Sequence, residues 1–131
     1  MKQKKNKLIL IKDEFELLKG YIRSILNTKS TETKNAEQLA KEFANMPELV
    51  DKDAFPADAV RINSQVTVQE KTTGKRFNFK IVLPSQANLS AGRISVFAPI
   101  GTAAIGYRKG ASISWQMPAG TKEFTIVDVV N

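Results

Sequence analysis

GRISVFAPIGTAAIGYRKGASISWQMPAG, residues 92–120, changes its period twice within one stretch. It begins as a strand, with Ile94 and Val96 alternating against Arg93, Ser95 and Phe97, and it stops at Pro99, whose missing amide cannot join a ladder. Gly101 and Gly106 bracket a run of small residues long enough for about one and a half helical turns. Gly110 reopens an extended segment in which Ile113, Trp115 and Met117 share a face, and Pro118 with Gly120 makes a turn. A strand, a short helix and a second strand in this order lay the helix across a sheet. The loop at residues 98–102 is left exposed at its end.

Working outward, the period of two extends on both sides. Upstream, Val66 and Val68 alternate with polar residues, and Thr72-Thr73-Gly74-Lys75 is a hairpin turn. Phe77, Phe79, Ile81 and Leu83 then share a face until Pro84, and a final strand runs from about Glu123 to Val130. Trp115, Phe77 and Phe79 lie on the apolar faces of their strands and are expected in the core. The sum is five short strands and one small helix, an antiparallel sheet folded over that helix.

The first part of the chain has a different period. Phe15, Leu18, Ile22, Ile25 and Leu26 recur at spacings of three and four, and Leu39, Phe43 and Met46 do so again before Pro47. Asp13 with Glu16, and Asn35 with Gln38, have the spacing of capping boxes. The polar stretch NTKSTETKN, residues 27–35, joins the two helices into an antiparallel hairpin, and PELVDKDAFP, residues 47–56, reads as a solvated linker. The expected organisation is α+β, with a helical hairpin at residues 1–50, a linker at 51–59 and a sheet domain at 60–131.

Composition narrows the chemistry. Cysteine and histidine are both absent, which removes disulfides, thiolate nucleophiles, Cys/His zinc sites and the imidazole base. Neither an enzyme, a metal nor a cofactor is expected, and the lack of cysteine fits a reducing cytoplasm. The apolar run at residues 8–11 is too short for the core of a leader peptide, and no stretch approaches the ~20 apolar residues that span a bilayer. The formal charge is +7, and residues 57–131 hold 9 basic against 4 acidic groups. Such a surface is a solvated basic face, or it meets an acidic protein or, non-specifically, nucleic acid.

The run at residues 92–120 resembles the C-terminal domain of the bacterial Gre transcript-cleavage factors. That family shows an isoleucine-serine-valine strand, a proline turn, a small-residue helix with two glycines, a further strand and a proline-small-glycine hairpin. FPADAVRINSQVTVQEKTTGK, residues 55–75, resembles the start of the same domain. The resemblance implies an FKBP-like fold, a twisted antiparallel sheet with one short helix, and docking on bacterial RNA polymerase through the proline turn: Ala98, Pro99, Ile100, Gly101 and Thr102.

FKBP-like folds include peptidyl-prolyl isomerases, but the isomerase pocket does not map residue by residue onto this chain, and fold alone does not carry function. In the cleavage factors a long coiled coil carries paired acids at its tip, which help hold a catalytic magnesium ion. Here the first helix, about 13 residues, would span only ~20 Å. Its tip, at Lys29, Ser30, Thr31 and Glu32, has one carboxylate, with lysines at positions 29 and 34 on either side. KLILIKDEFELLKGYI, residues 7–22, is similar to the opening of the short Rnk-type members, named as regulators of nucleoside diphosphate kinase. That likeness implies a polymerase-binding regulator without cleavage, docking near the secondary channel; the sequence leaves the oligomeric state open, with a monomer favoured.

Overall fold

In the computed structural model, which describes residues 8–28, 31–45, 47–117 and 119–131, the apolar run at residues 8–11 is buried and mostly strand. β1 (Ile9–Ile11) is buried throughout and pairs in parallel with β2 (Glu48–Val50), Leu10 lying opposite Leu49. Two three-residue strands are marginal alone. This pair is stitched to the C-terminal half, because the Ile9 amide donates to the Gly106 carbonyl at 3.0 Å. Leu8 and Leu10 also close on Gly106, where an added methyl would lie 3.2 Å from Leu8.

α1 (Lys12–Leu26) follows without a break. Its N-cap is Ile11, held extended by its pairing with Val50, so the helix starts ahead of Asp13 and the expected capping box does not form. Glu16 instead faces Lys19 at 3.2 Å on the surface. Glu14 turns to the sheet side, where its carboxylate accepts from Arg61 Nη2 at 2.6 Å, Arg61 Nε at 3.1 Å and the Ile62 amide at 3.2 Å. α2 (Thr33–Ala44) returns along α1, with the ring of Phe43 4.9 Å from that of Phe15.

Leu18 and Ile22 of α1, with Ala36, Leu39 and Phe43 of α2, are buried in one cluster with Val60, Val66, Phe97, Ile100 and Ile105. The helical hairpin therefore shares its core with the sheet. A two-helix hairpin exposes one apolar stripe per helix, and the sheet's own apolar face is the surface available to cover them. The presumed linker is likewise not free of structure: it contributes β2, a 3-10 turn at Lys52–Ala54 and the buried Ala59. Met46, Pro118, Lys29 and Ser30, and the side chain of Met117, lie outside the described residues.

The larger sheet has β3 (Gln65–Glu70), β4 (Arg76–Val82), β5 (Arg93–Ser95), β6 (Ser112–Met117) and β7 (Gly120–Val130), in the order β5-β4-β3-β7-β6. Every pairing is antiparallel except one edge, where β5 runs parallel to β4 with Lys80 opposite Arg93. The intervening segment, with 3-10 turns at Pro84–Gln86 and Leu89–Ala91, carries the chain back to the level of Lys80 so that β5 runs in the same direction as the end of β4, which a tight hairpin cannot do.

α3 (Pro99–Ala104) packs on β6 and on α2. Trp115 is half-buried against Phe124 and Phe77, at ring separations of 5.2 and 5.9 Å, as a core aromatic should be. Glu70 is the unexpected buried acid. Burial pushes its carboxyl up, but hydrogen bonds from Thr72 and Thr73 and the Lys122 ammonium outweigh that and hold it below the usual carboxylate range. Among the described residues no helix is long and apolar enough to cross a membrane.

Candidate functional site

The turn from β5 into α3 is built around the Ser95 hydroxyl and carbonyl. The hydroxyl accepts from the Phe97 amide at 3.0 Å, and the carbonyl accepts from the Ala98 amide at 2.9 Å. Ala98 is extended and caps α3, and Pro99 takes the first helical position, where a missing amide costs nothing. Thr102 then reaches back, its hydroxyl donating to the Val96 carbonyl at 2.9 Å inside the core.

These bonds press α3 against the end of β5. Gly101 has an ordinary helical backbone, yet a methyl there would sit 2.4 Å from the Ser95 carbonyl oxygen and 3.0 Å from the α-carbon of Val96. Close approach, not a special dihedral, requires glycine at this position.

Five residues of this turn were expected on the surface, and the structure divides them. Pro99 is exposed and Ala98 half-buried, whereas Ile100 is 1% and Thr102 2% exposed and Gly101 is buried. Ile100, expected to be exposed with the rest of the turn, is therefore a core residue. In a helix of six residues one side must face the sheet, and the spacing from Pro99 places Ile100 on that side.

The start of α2 is brought to the same place. Ser95 donates through its hydroxyl to the Glu32 carboxylate at 3.3 Å, and the Asn35 side-chain amide donates to the Phe97 carbonyl at 2.8 Å. Asn35 was expected to cap α2; the N-cap is Glu32, and Asn35 serves as a cross-link instead. Thr31 is exposed beside this contact. Glu32 and Asn35, at the start of α2, thus lie on the proline turn.

Next to Pro99 a cleft of about 540 Å³ runs between α2 and β6, with Lys34, Gln38 and Lys41 on one wall, Pro99 and Ala103 at its end, and Ile113 on the other side. Tyr107 and Glu42 were not singled out by sequence reasoning, yet they brace this cleft. The Tyr107 hydroxyl donates to Glu42 at 3.2 Å, and burial first, then the Glu42 charge and hydrogen bond, push it up to about 12. No local pattern marks that pair, whose members are 65 positions apart. Among the described residues no group of three His, Cys, Asp or Glu side chains comes together to hold a metal ion. The cleft is lined by both charges, Lys34 and Lys41 with Glu37 and Glu42, beside the apolar Pro99, Ala103 and Ile113.

The family model for the transcription elongation factor GreA/GreB C-terminal region matches residues 55–131, which take in the whole five-stranded sheet and α3. The chain belongs to the GreA/GreB family.

Transcription elongation factor GreA of Syntrophus aciditrophicus is 33% identical over 81 residues, covering 62% of this chain and 50% of that protein. GreA of Pelobacter propionicus is 35% identical over 81 residues, covering 62% and 51%. The chain spans about half the length of these curated relatives. A GreA/GreB structure from Nitrosomonas europaea superposes with a TM-score of 0.78 at 26% identity, covering 97% of this chain and all of that one. That coverage takes in the helical hairpin, so its placement on the Gre-type sheet has a counterpart in the family.

Proposed function

We propose that this protein is an RNA polymerase-binding transcription regulator of the short Gre type, close to the Rnk-type members, which docks near the secondary channel and does not stimulate transcript cleavage. Membership of the GreA/GreB family supports a polymerase partner. The observation that carries the absence of cleavage is the fate of the tip. Its one carboxylate, Glu32, is engaged by Ser95 on the body of the protein, and lysines flank it in sequence. A hard dication at an active centre requires carboxylates free to approach it. The hairpin also lacks reach: α1 has 15 residues, about 22 Å.

The docking surface in this reading is Pro99 with Ala98, continued by the cleft wall at Lys34, Gln38 and Lys41. A rigid exposed proline between a strand and a helix offers apolar contact at little entropic cost. The test is competition in a stalled transcription complex. Excess protein should slow cleavage driven by an authentic GreA, and Pro99→Asp, which keeps a residue acceptable at a helix start, should lose that effect. Cleavage stimulated by the unmodified protein would sink the no-cleavage reading; undiminished cleavage at saturating protein would sink the docking reading.

A further inference from the structure

The outer face of the sheet at its β4–β5 edge carries charge that the molecule leaves uncompensated. Register puts Arg93 beside Lys80, Asn78 beside Thr67, and Arg76 beside Gln69, while Phe79 and Ile81 of β4 turn inward and are buried. The face is therefore three cations set among amides and a hydroxyl. Each guanidinium spends its Nε on a neutral acceptor, Arg76 on the Gln69 side chain and Arg93 on the Gln86 carbonyl, both at 3.1 Å. Among the described residues the ion pairs use Lys12, Lys19, Arg61, Arg108 and Lys122, and none uses Arg76, Lys80 or Arg93. The nearest acid by register is Asp128, which lies two strands from Asn78 beyond Thr67.

We propose that this face binds the phosphate backbone of duplex nucleic acid, independently of the polymerase-docking surface. Two features choose that occupant over an acidic protein. Protein interfaces are centred on apolar and aromatic anchors, which these positions lack, whereas nucleic-acid interfaces are more polar and more positive. The absence of an aromatic at these positions also disfavours single strands, whose binding depends on base stacking. Geometry agrees: four residues along β4 separate Arg76 from Lys80 by about 13 Å, comparable with the ~12 Å width of the major groove. Arg93 adds a third cation one strand spacing away. The fixed Nε bonds leave the outer guanidinium nitrogens pre-set for phosphate oxygens.

The experiment is fluorescence anisotropy of a labelled 20-base-pair duplex with the full chain, from 25 to 200 mM NaCl. Three phosphate contacts should give a slope of log K against log salt of about −3. Arg76→Gln, Lys80→Gln and Arg93→Gln together should weaken binding at least tenfold at 25 mM and flatten the slope. Lys12→Gln, Lys52→Gln and Lys109→Gln, which remove the same charge elsewhere, should leave both nearly unchanged. Melting curves of both triple variants check that the fold survives. The proposal is overturned if the duplex is not bound at 25 mM, if both triples lose affinity equally, or if a single strand or polyglutamate binds as well as the duplex.

Discussion

Replacing Gly101 by alanine tests whether α3 is held by contact with the strand before it. The added methyl would lie 2.4 Å from the Ser95 carbonyl oxygen, where ordinary contact begins at 3.4 Å, so α3 must retreat by about 1 Å from a backbone atom that cannot swing aside. Overpacking of this kind costs about 1–3 kcal/mol. The same retreat stretches the 2.9 Å bond from Thr102 to the Val96 carbonyl past hydrogen-bonding distance, leaving two buried groups unpaired. That adds about 1–2 kcal/mol. A total of about 3 kcal/mol lowers the melting temperature of a domain this size by roughly 10–15 °C.

Gly20→Ala is the matched control. Nothing lies within 4 Å of a methyl there, so the change should raise stability by about 0.5–1 kcal/mol through helix propensity alone. Differential scanning fluorimetry with a urea titration reads both. If Gly101→Ala melts within about 2 °C of the parent, the argument that space dictates this glycine is wrong.

Three further outcomes are expected. Glu14→Gln leaves the largely buried Arg61 guanidinium without its carboxylate and should cost about 2–3 kcal/mol in urea unfolding; a loss below about 0.5 kcal/mol would reduce that pair to a surface contact. Because the Tyr107 hydroxyl is raised to about 12, its contribution is fully present below pH 10, where the phenol is protonated folded or unfolded, and is lost as pH rises through 12. Tyr107→Phe should remove about 1–2 kcal/mol of that alkaline decline, and superimposable pH profiles for parent and variant would contradict it. A chain beginning at Asp51 loses β1, β2 and both helices from the shared cluster, and should show no sharp thermal transition; cooperative melting of that fragment would show that the sheet folds without the hairpin.

Much of the fold was legible along the chain because each element advertises its own surface. The alternation in β3, β4, β6 and β7, the three-four spacing of Leu18 and Ile22, the stop at Pro99 and the turn at Gly74 are properties of neighbouring residues, which a pattern reports directly. The resemblance at residues 92–120 likewise rests on a local order of strand, turn and helix. These determined two helices, a five-stranded sheet and the family.

Which surfaces meet was a different matter. Nothing local says that residues 9–11 pair with 48–50, or that β5 returns parallel to β4, because strand partnership is settled by what remains uncovered when the rest has packed. The candidate site shows this most sharply. Asn35 could cap its own helix or bond across the molecule, and the Phe97 carbonyl, 62 positions away, claims it. Ile100 could have been a knob on a loop, but once Gly101 lets α3 close on the Ser95 carbonyl, the isoleucine is drawn into the core and Pro99 alone is left fully outside. Sequence determined which residues prefer burial, bonding or a turn; tertiary structure decided which of several acceptable partners each received, since that choice depends on the free energy of the whole packed chain.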